Sequence, residues 1–169
     1  MKIFYDDVFR ALNKNKVRYA VAGGVAVVLY GYPRFTADLD LIVQLEENNI
    51  EKFFDTLNKL GYRPKVPVTK EQFKDKHQRE AWIKNKGMIV LSFYHLKEHL
   101  KHIDVFVKEP IKFNLIERKM NRIKVKDLEI PVLSIEHLKR LKKAAGRPQD
   151  TIDLANLEAI KKSYDSKKD

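Results

Sequence analysis

At 169 residues the chain is long enough for one domain with a proper core and too short to expect two. Hydrophobic residues make up 44% and charged residues 34%, a globular balance with no apolar run near the ~20 residues of a membrane span. The lack of cysteine excludes disulfides, thiolate metal sites and a cysteine nucleophile.

Met1 to Asp7 lacks the apolar core of a signal peptide, so a cytoplasmic location is expected. The net charge of +11 is unevenly placed. Residues 1–60 carry eight basic and eight acidic side chains, whereas residues 61–169 carry 26 basic against 15 acidic. A basic face suits polyanions such as RNA or a nucleoside triphosphate. Twenty of those 26 are lysines, which also fits a plain solvated surface.

In chain order, Phe4, Val8, Ala11 and Leu12 fall at helical spacing and predict a helix over 3–15. Arg18 to Ala22 reads as a strand that ends in Gly23-Gly24, with a helix over Val25 to Tyr30. Glycine permits close backbone approach, and a strand–Gly-Gly–helix turn presents free N–H groups to a phosphate. Gly31 and Pro33 break the chain before a strand holding Asp38 and Asp40 among Leu39, Leu41, Ile42 and Val43. Strand side chains alternate, so both carboxylates share one face, and their repulsion calls for a positive charge such as a divalent metal.

A helix over 47–60 carries the apolar stripe Ile50, Phe53, Phe54, Leu57 and Leu60 and closes at Gly61. Residues 64–78 carry no clear period and read either as a mobile segment or as a helix over the site. Ala81–Lys84 and Met88–Phe93 read as two strands joined by a turn at Asn85-Lys86-Gly87. His102–Val107 is a strand with one embedded acid, Asp104, which is costly there unless paired, metal-bound or turned to solvent. A short helix over Leu115–Asn121 and short strands over 123–125 and 130–133 follow. Ser134 caps a helix that stops at Gly146-Arg147-Pro148, and a last helix runs from Gln149 to about Ser163 before a frayed tail over 166–169. Asp150 and Asp153 share a face of that last helix.

Gly23-Gly24, thirteen residues, then Asp38-Leu39-Asp40-Leu41 resembles the signature of the nucleotidyltransferase superfamily that includes DNA polymerase beta and kanamycin nucleotidyltransferase. Arg34-Phe35-Thr36 ahead of Asp38 looks more like the small nucleotidyltransferases of abortive-infection and type IV toxin–antitoxin systems. Lys142 with Arg147-x-x-Asp150-x-x-Asp153 resembles a C-terminal segment of that branch. The resemblance implies an α+β polymerase-beta-like fold: a mixed twisted sheet flanked by helices, with C-terminal helices. It implies one domain over 1–169, with a catalytic core over 1–110 and a C-terminal part over 111–169.

The resemblance further implies metal-dependent transfer of a nucleoside monophosphate from an NTP to an acceptor hydroxyl by a two-metal mechanism. Asp38, Asp40 and Asp104 would hold Mg²⁺ or Mn²⁺, as hard oxygen ligands favour those ions over zinc. Gly23, Gly24, Arg34, Thr36 and Lys142 would bind the nucleotide, with Arg147 and Asp150 in support. Many members carry serine where this chain has Gly24. The expected acceptor is tRNA, another RNA or a cognate protein partner. An antibiotic-like acceptor ranks below these, because no acidic pocket for a cationic drug is apparent. The alternative function is a nucleotide- or RNA-binding module without turnover, and the sequence leaves base preference and oligomeric state open.

Overall fold

A computed structural model describes residues 4–167. The expected helix start at residue 3 and the far end of the tail, residues 168 and 169, lie outside the described residues.

Seven strands form one mixed sheet in the order β3-β4-β5-β2-β1-β7-β6. They are β1 (Tyr19–Ala22), β2 (Asp38–Val43), β3 (Tyr62–Pro64), β4 (Val90–His95), β5 (His102–Phe106), β6 (Asn121–Val125) and β7 (Leu128–Val132). Four apolar residues in a row make β1 a strand buried along its whole length, and it lies between β2 and β7. It runs antiparallel to β2 and parallel to β7, while β2 and β5 are parallel. The α+β reading with a mixed sheet and C-terminal helices therefore holds.

Helix α1 (Asp6–Lys14) buries Val8, Phe9 and Leu12, while Phe4 before it stays half-exposed. Helix α2 (Gly23–Leu29) takes both glycines as its first residues. Helix α3 (Glu47–Lys59) buries Ile50, Phe53, Phe54 and Leu57 as its spacing predicts. Its buried Asn49 accepts from Arg18 N at 2.8 Å and donates to Gln44 O at 2.8 Å, fixing the helix to the ends of β1 and β2. Phe53, Phe54, Phe73 and Phe93 pack ring to ring beneath it at 5.2–6.0 Å.

Residues 64–78 are the least legible stretch, and the structure gives them short, capped elements. Thr69 and Gln72 form a reciprocal capping box on α4 (Lys70–Lys74), and Phe73 is buried. The strand expected over Ala81–Lys84 is a helix instead, α5 (Lys76–Lys86). Two local devices override the strand-like pattern. Asp75 accepts from the backbone N–H of His77 and Gln78, and Gly87 ends the helix at φ 59°. Arg79 and Trp82, three residues apart, are the buried face. The supposed turn at 85–87 is the helix end, and the following strand begins only at Val90.

After α6 (Phe113–Lys119), the hairpin β6–β7 leads to α7 (Ile135–Ala145), capped by Ser134, which accepts from His137 N at 3.2 Å. Gly146 at φ 63° closes α7, and α8 (Pro148–Ser166) turns back against it. No helix among the described residues is long and apolar enough to cross a membrane.

Candidate active site

The register places the carboxylates. Asp38 pairs with His102 and Asp40 with Asp104 across the parallel β2–β5 ladder, and Ser92 pairs with Asp104 across β4–β5. Paired positions face the same way, so Asp38, Asp40, Asp104 and Ser92 share one face of the sheet. Ser92 Oγ donates to Asp104 Oδ1 at 2.6 Å and fixes that side chain. The Tyr5 hydroxyl, 2.5 Å from Ala37 O and 2.9 Å from His102 O, clamps the entry of β2 to that of β5. Burial, helped by the three aspartate charges, raises the Tyr5 pKa to about 12.

Burial first, and then the charges of Asp104 and Asp38, push the Asp40 carboxyl up to about 6. That unrelieved charge predicts a measurable instability in the metal-free protein. The folded state holds the proton more tightly than the unfolded chain, so stability falls as pH rises from about 3.8 to about 6. Above that window the deficit persists at a constant value. Asp40→Asn should therefore melt higher than the wild type at pH 7.5 in EDTA, by up to about 3 kcal/mol, and show little difference at pH 4. Thermal unfolding at both pH values checks the sign, and an equal or lower melting point at pH 7.5 contradicts it.

The two glycines have different reasons. Gly23 sits at φ 63°, where a Cβ would collide with the Asp40 carboxylate. Gly24 faces Thr36, and a Cβ there would lie 2.6 Å from Thr36 Oγ1 and 3.2 Å from Arg34 Cζ. The serine common at this position elsewhere has no room here, because Thr36 already fills the space. Gly24→Ser should weaken NTP binding by displacing Thr36 and Arg34, and Gly24→Ser with Thr36→Ala should recover part of it. Titration of NTP with both variants tests this.

Nine of the ten sequence-predicted residues line one cavity of about 350 Å³: Gly24, Arg34, Thr36, Asp38, Asp40, Asp104, Lys142, Arg147 and Asp150. The tenth, Gly23, abuts Asp40. Larger cavities of about 680 and 490 Å³ lie around Arg79, but neither gathers carboxylates with strand-fixed geometry.

Lys142 reaches the cavity with its charge already shared. It is 4% exposed, and its Nζ donates to Asp153 Oδ2 at 2.6 Å and to Asp150 Oδ1 at 3.2 Å. Asp153, fully buried, also pairs with the Arg34 guanidinium. Arg147 closes the set, its Nε donating to Asp150 Oδ2 at 2.9 Å. Burial alone would raise the Asp150 pKa, but Arg147 and Lys142 hold it below the usual carboxylate range. The network joins α7, α8 and the loop before β2, so the C-terminal segment and the Asp-x-Asp strand form one wall.

Among the described residues, no three His, Cys, Asp or Glu side chains converge as a ready-made metal cage. The donor chemistry nevertheless fits a hard divalent cation. Three carboxylates share one face of neighbouring strands, and burial first, then the charges of Asp104 and Asp38, raises the pKa of Asp40.

Sequence reasoning does not single out Ser92, Asp153 or Tyr5 as site residues. Ser92 carries no signal until the β4–β5 register is known. Asp153 was legible as the second acid of the Arg147-x-x-Asp150-x-x-Asp153 pattern, and Tyr5 reads as an ordinary helix-start aromatic.

Several solved structures share this fold at low identity. The lincosamide antibiotic adenylyltransferase LnuA, lincomycin-bound, is 19% identical with a TM-score of 0.63, over 95% of this chain and 99% of that one. ANT(2'')-Ia in complex with adenylyl-2''-tobramycin is 11% identical with a TM-score of 0.57, over 96% and 95%. An antigenic nucleotidyltransferase-like protein from Paracoccidioides brasiliensis is 16% identical with a TM-score of 0.57, over 90% and 71%. No curated protein matches the chain. The family profile described as aminoglycoside-2''-adenylyltransferase matches residues 6–157. The superfamily resemblance read from the sequence is thus upheld, and the match lends no support to the toxin–antitoxin branch. The chain belongs to the aminoglycoside-2''-adenylyltransferase family and is a nucleotidyltransferase.

Proposed function

We propose that this protein transfers a nucleoside monophosphate, AMP in the first instance, from an NTP to a hydroxyl of an antibiotic-like small molecule. The observation that carries the reading is the meeting of Asp38, Asp40 and Asp104 with Gly24, Arg34, Lys142 and Arg147 around one cavity. Carboxylates for cations and cations for phosphates, side by side, are what phosphoryl-group chemistry needs. Residues 1–110 supply the carboxylates and residues 111–169 supply Lys142, Arg147 and Asp150, so both parts of the chain act as one unit.

Bound at Asp38, Asp40 and Asp104, one or two Mg²⁺ or Mn²⁺ ions would neutralise the triphosphate and polarise its reacting phosphate. Gly24 lets phosphate oxygens approach the backbone. Arg34, Lys142 and Arg147 offset the charge that grows on the leaving pyrophosphate as its bond to the α-phosphorus breaks. Asp104, which accepts from Ser92 Oγ, would take the acceptor's proton as the new oxygen–phosphorus bond forms.

This reading puts an antibiotic-like acceptor ahead of RNA or a protein partner, the acceptors that charge and branch resemblance lead one to expect. The family description names an aminoglycoside, and the structural neighbours include complexes with lincomycin and an adenylylated tobramycin.

The test is incubation with each α-labelled NTP and Mg²⁺ or Mn²⁺, against aminoglycosides, lincosamides and total RNA in parallel. Label on a small molecule supports the proposal. Label on RNA alone overturns the acceptor, and metal-dependent NTP binding without label on any acceptor favours the binding module.

A further inference from the structure

We infer that Phe35 is the stacking platform for the nucleobase of the NTP, a deepening that rests on the nucleotidyltransferase reading of this site. Phe35 is 91% exposed, the most exposed large hydrophobic residue among the described residues. A lone surface apolar residue normally needs no explanation. Phe35 is singled out because it borders the cavity of the carboxylates and is the one aromatic residue among those that do so.

The backbone on either side is pinned. Arg34 is tied to the buried Asp153, and its Nε lies 3.4 Å from Phe35 O. Thr36 packs over Gly24, and Ala37 O meets the Tyr5 hydroxyl at 2.5 Å. An aromatic ring is thus held in water on a fixed segment, with little ordering left to be lost when something stacks on it.

The ring also lies on the donor's side of the cavity. Its neighbours Arg34 and Thr36 flank Gly24, where the phosphates are placed, whereas Asp104 lies two strands away from β1, on β5, and Ser92 three away, on β4. In-line displacement brings the acceptor hydroxyl from the side opposite the departing pyrophosphate. A base tethered through ribose to the phosphates therefore reaches Phe35 more directly than the acceptor does. A planar π-system on an exposed ring is also the sequence-tolerant contact by which proteins hold nucleobases.

The experiment compares binding of ATP, GTP, CTP, UTP and inorganic tripolyphosphate, each with Mn²⁺, to wild type, Phe35→Ala and Phe35→Tyr. Phe35→Ala should weaken NTP binding by roughly tenfold. It should leave tripolyphosphate binding and the melting temperature unchanged, and Phe35→Tyr should restore NTP affinity. Unchanged NTP affinity in Phe35→Ala overturns the inference, as does an equal loss for tripolyphosphate, which would make the effect one of loop or phosphate site. A rise in acceptor KM alone also overturns it, by assigning the ring to the acceptor. If the wild type binds neither NTP nor tripolyphosphate, the nucleotidyltransferase reading fails with it. A wild type that binds both equally tightly leaves that reading standing and sinks only the base platform.

Discussion

Asp38→Asn with Asp40→Asn should lower nucleotidyl transfer by more than about a thousandfold, beyond what losing a single hydrogen-bond donor costs an active site. The reason is electrostatic. Two of the three carboxylates on β2 and β5 become neutral amides, which bind a hard dication weakly, so the triphosphate loses the charge that would hold and polarise it. The protein should remain folded, because the substitution removes repulsion among Asp38, Asp40 and Asp104. Loss of transfer with an equal or higher melting temperature in EDTA is therefore the expected pair of results. Transfer within tenfold of wild type would sink the assignment of these residues. Loss accompanied by unfolding would point to a structural duty for them instead.

The second large effect concerns stability. Lys142→Met should destabilise the protein by about 3 kcal/mol, toward the lower end of what breaking a buried ion pair costs. Met matches the stem of lysine but leaves Asp150 and Asp153 without their shared ammonium. Arg34 still pairs with Asp153 and Arg147 with Asp150, which keeps the loss from the top of the range. Denaturant titration of the two proteins measures the difference, and a change below about 0.5 kcal/mol would mean that the arginines suffice. Because the same network anchors Arg34 beside Gly24, NTP affinity should fall as well. A variant with full stability but lost NTP binding would assign Lys142 to the phosphates alone.

These two experiments separate duties that overlap in space. The carboxylates of β2 and β5 carry a repulsive charge that lowers stability and is useful only when a cation arrives. The carboxylates of α8 are compensated within the fold, two acids against Lys142, Arg34 and Arg147. Asp150 lines the same cavity as the first set, but its charge is already paired.

Local sequence patterns were enough to bring out most of the residues that gather at this cavity. Asp38 and Asp40 had to share a face because strand side chains alternate, and the Gly23-Gly24 step had to open a helix beside them. The stripe of α3, the Ser134 cap and the Gly146 stop were likewise local signals with local outcomes. Tertiary structure decided what no local pattern encodes. That Ser92 meets Asp104 follows from the register of β4 on β5, a pairing between strands with no sequence signature. That Lys142 shares its charge with Asp150 and Asp153 follows from α8 folding back on α7, which buries two acids that the sequence places only on one helix face. The helix over 76–86 is not legible from Ala81 to Lys84 alone, because a short apolar run fits strand or helix, while the Asp75 cap and Arg79, the other half of its buried face, lie outside that window. Periodicity reports which side of an element is buried. What that side touches, and whether a buried charge is paired, is fixed only when elements distant in the chain come together.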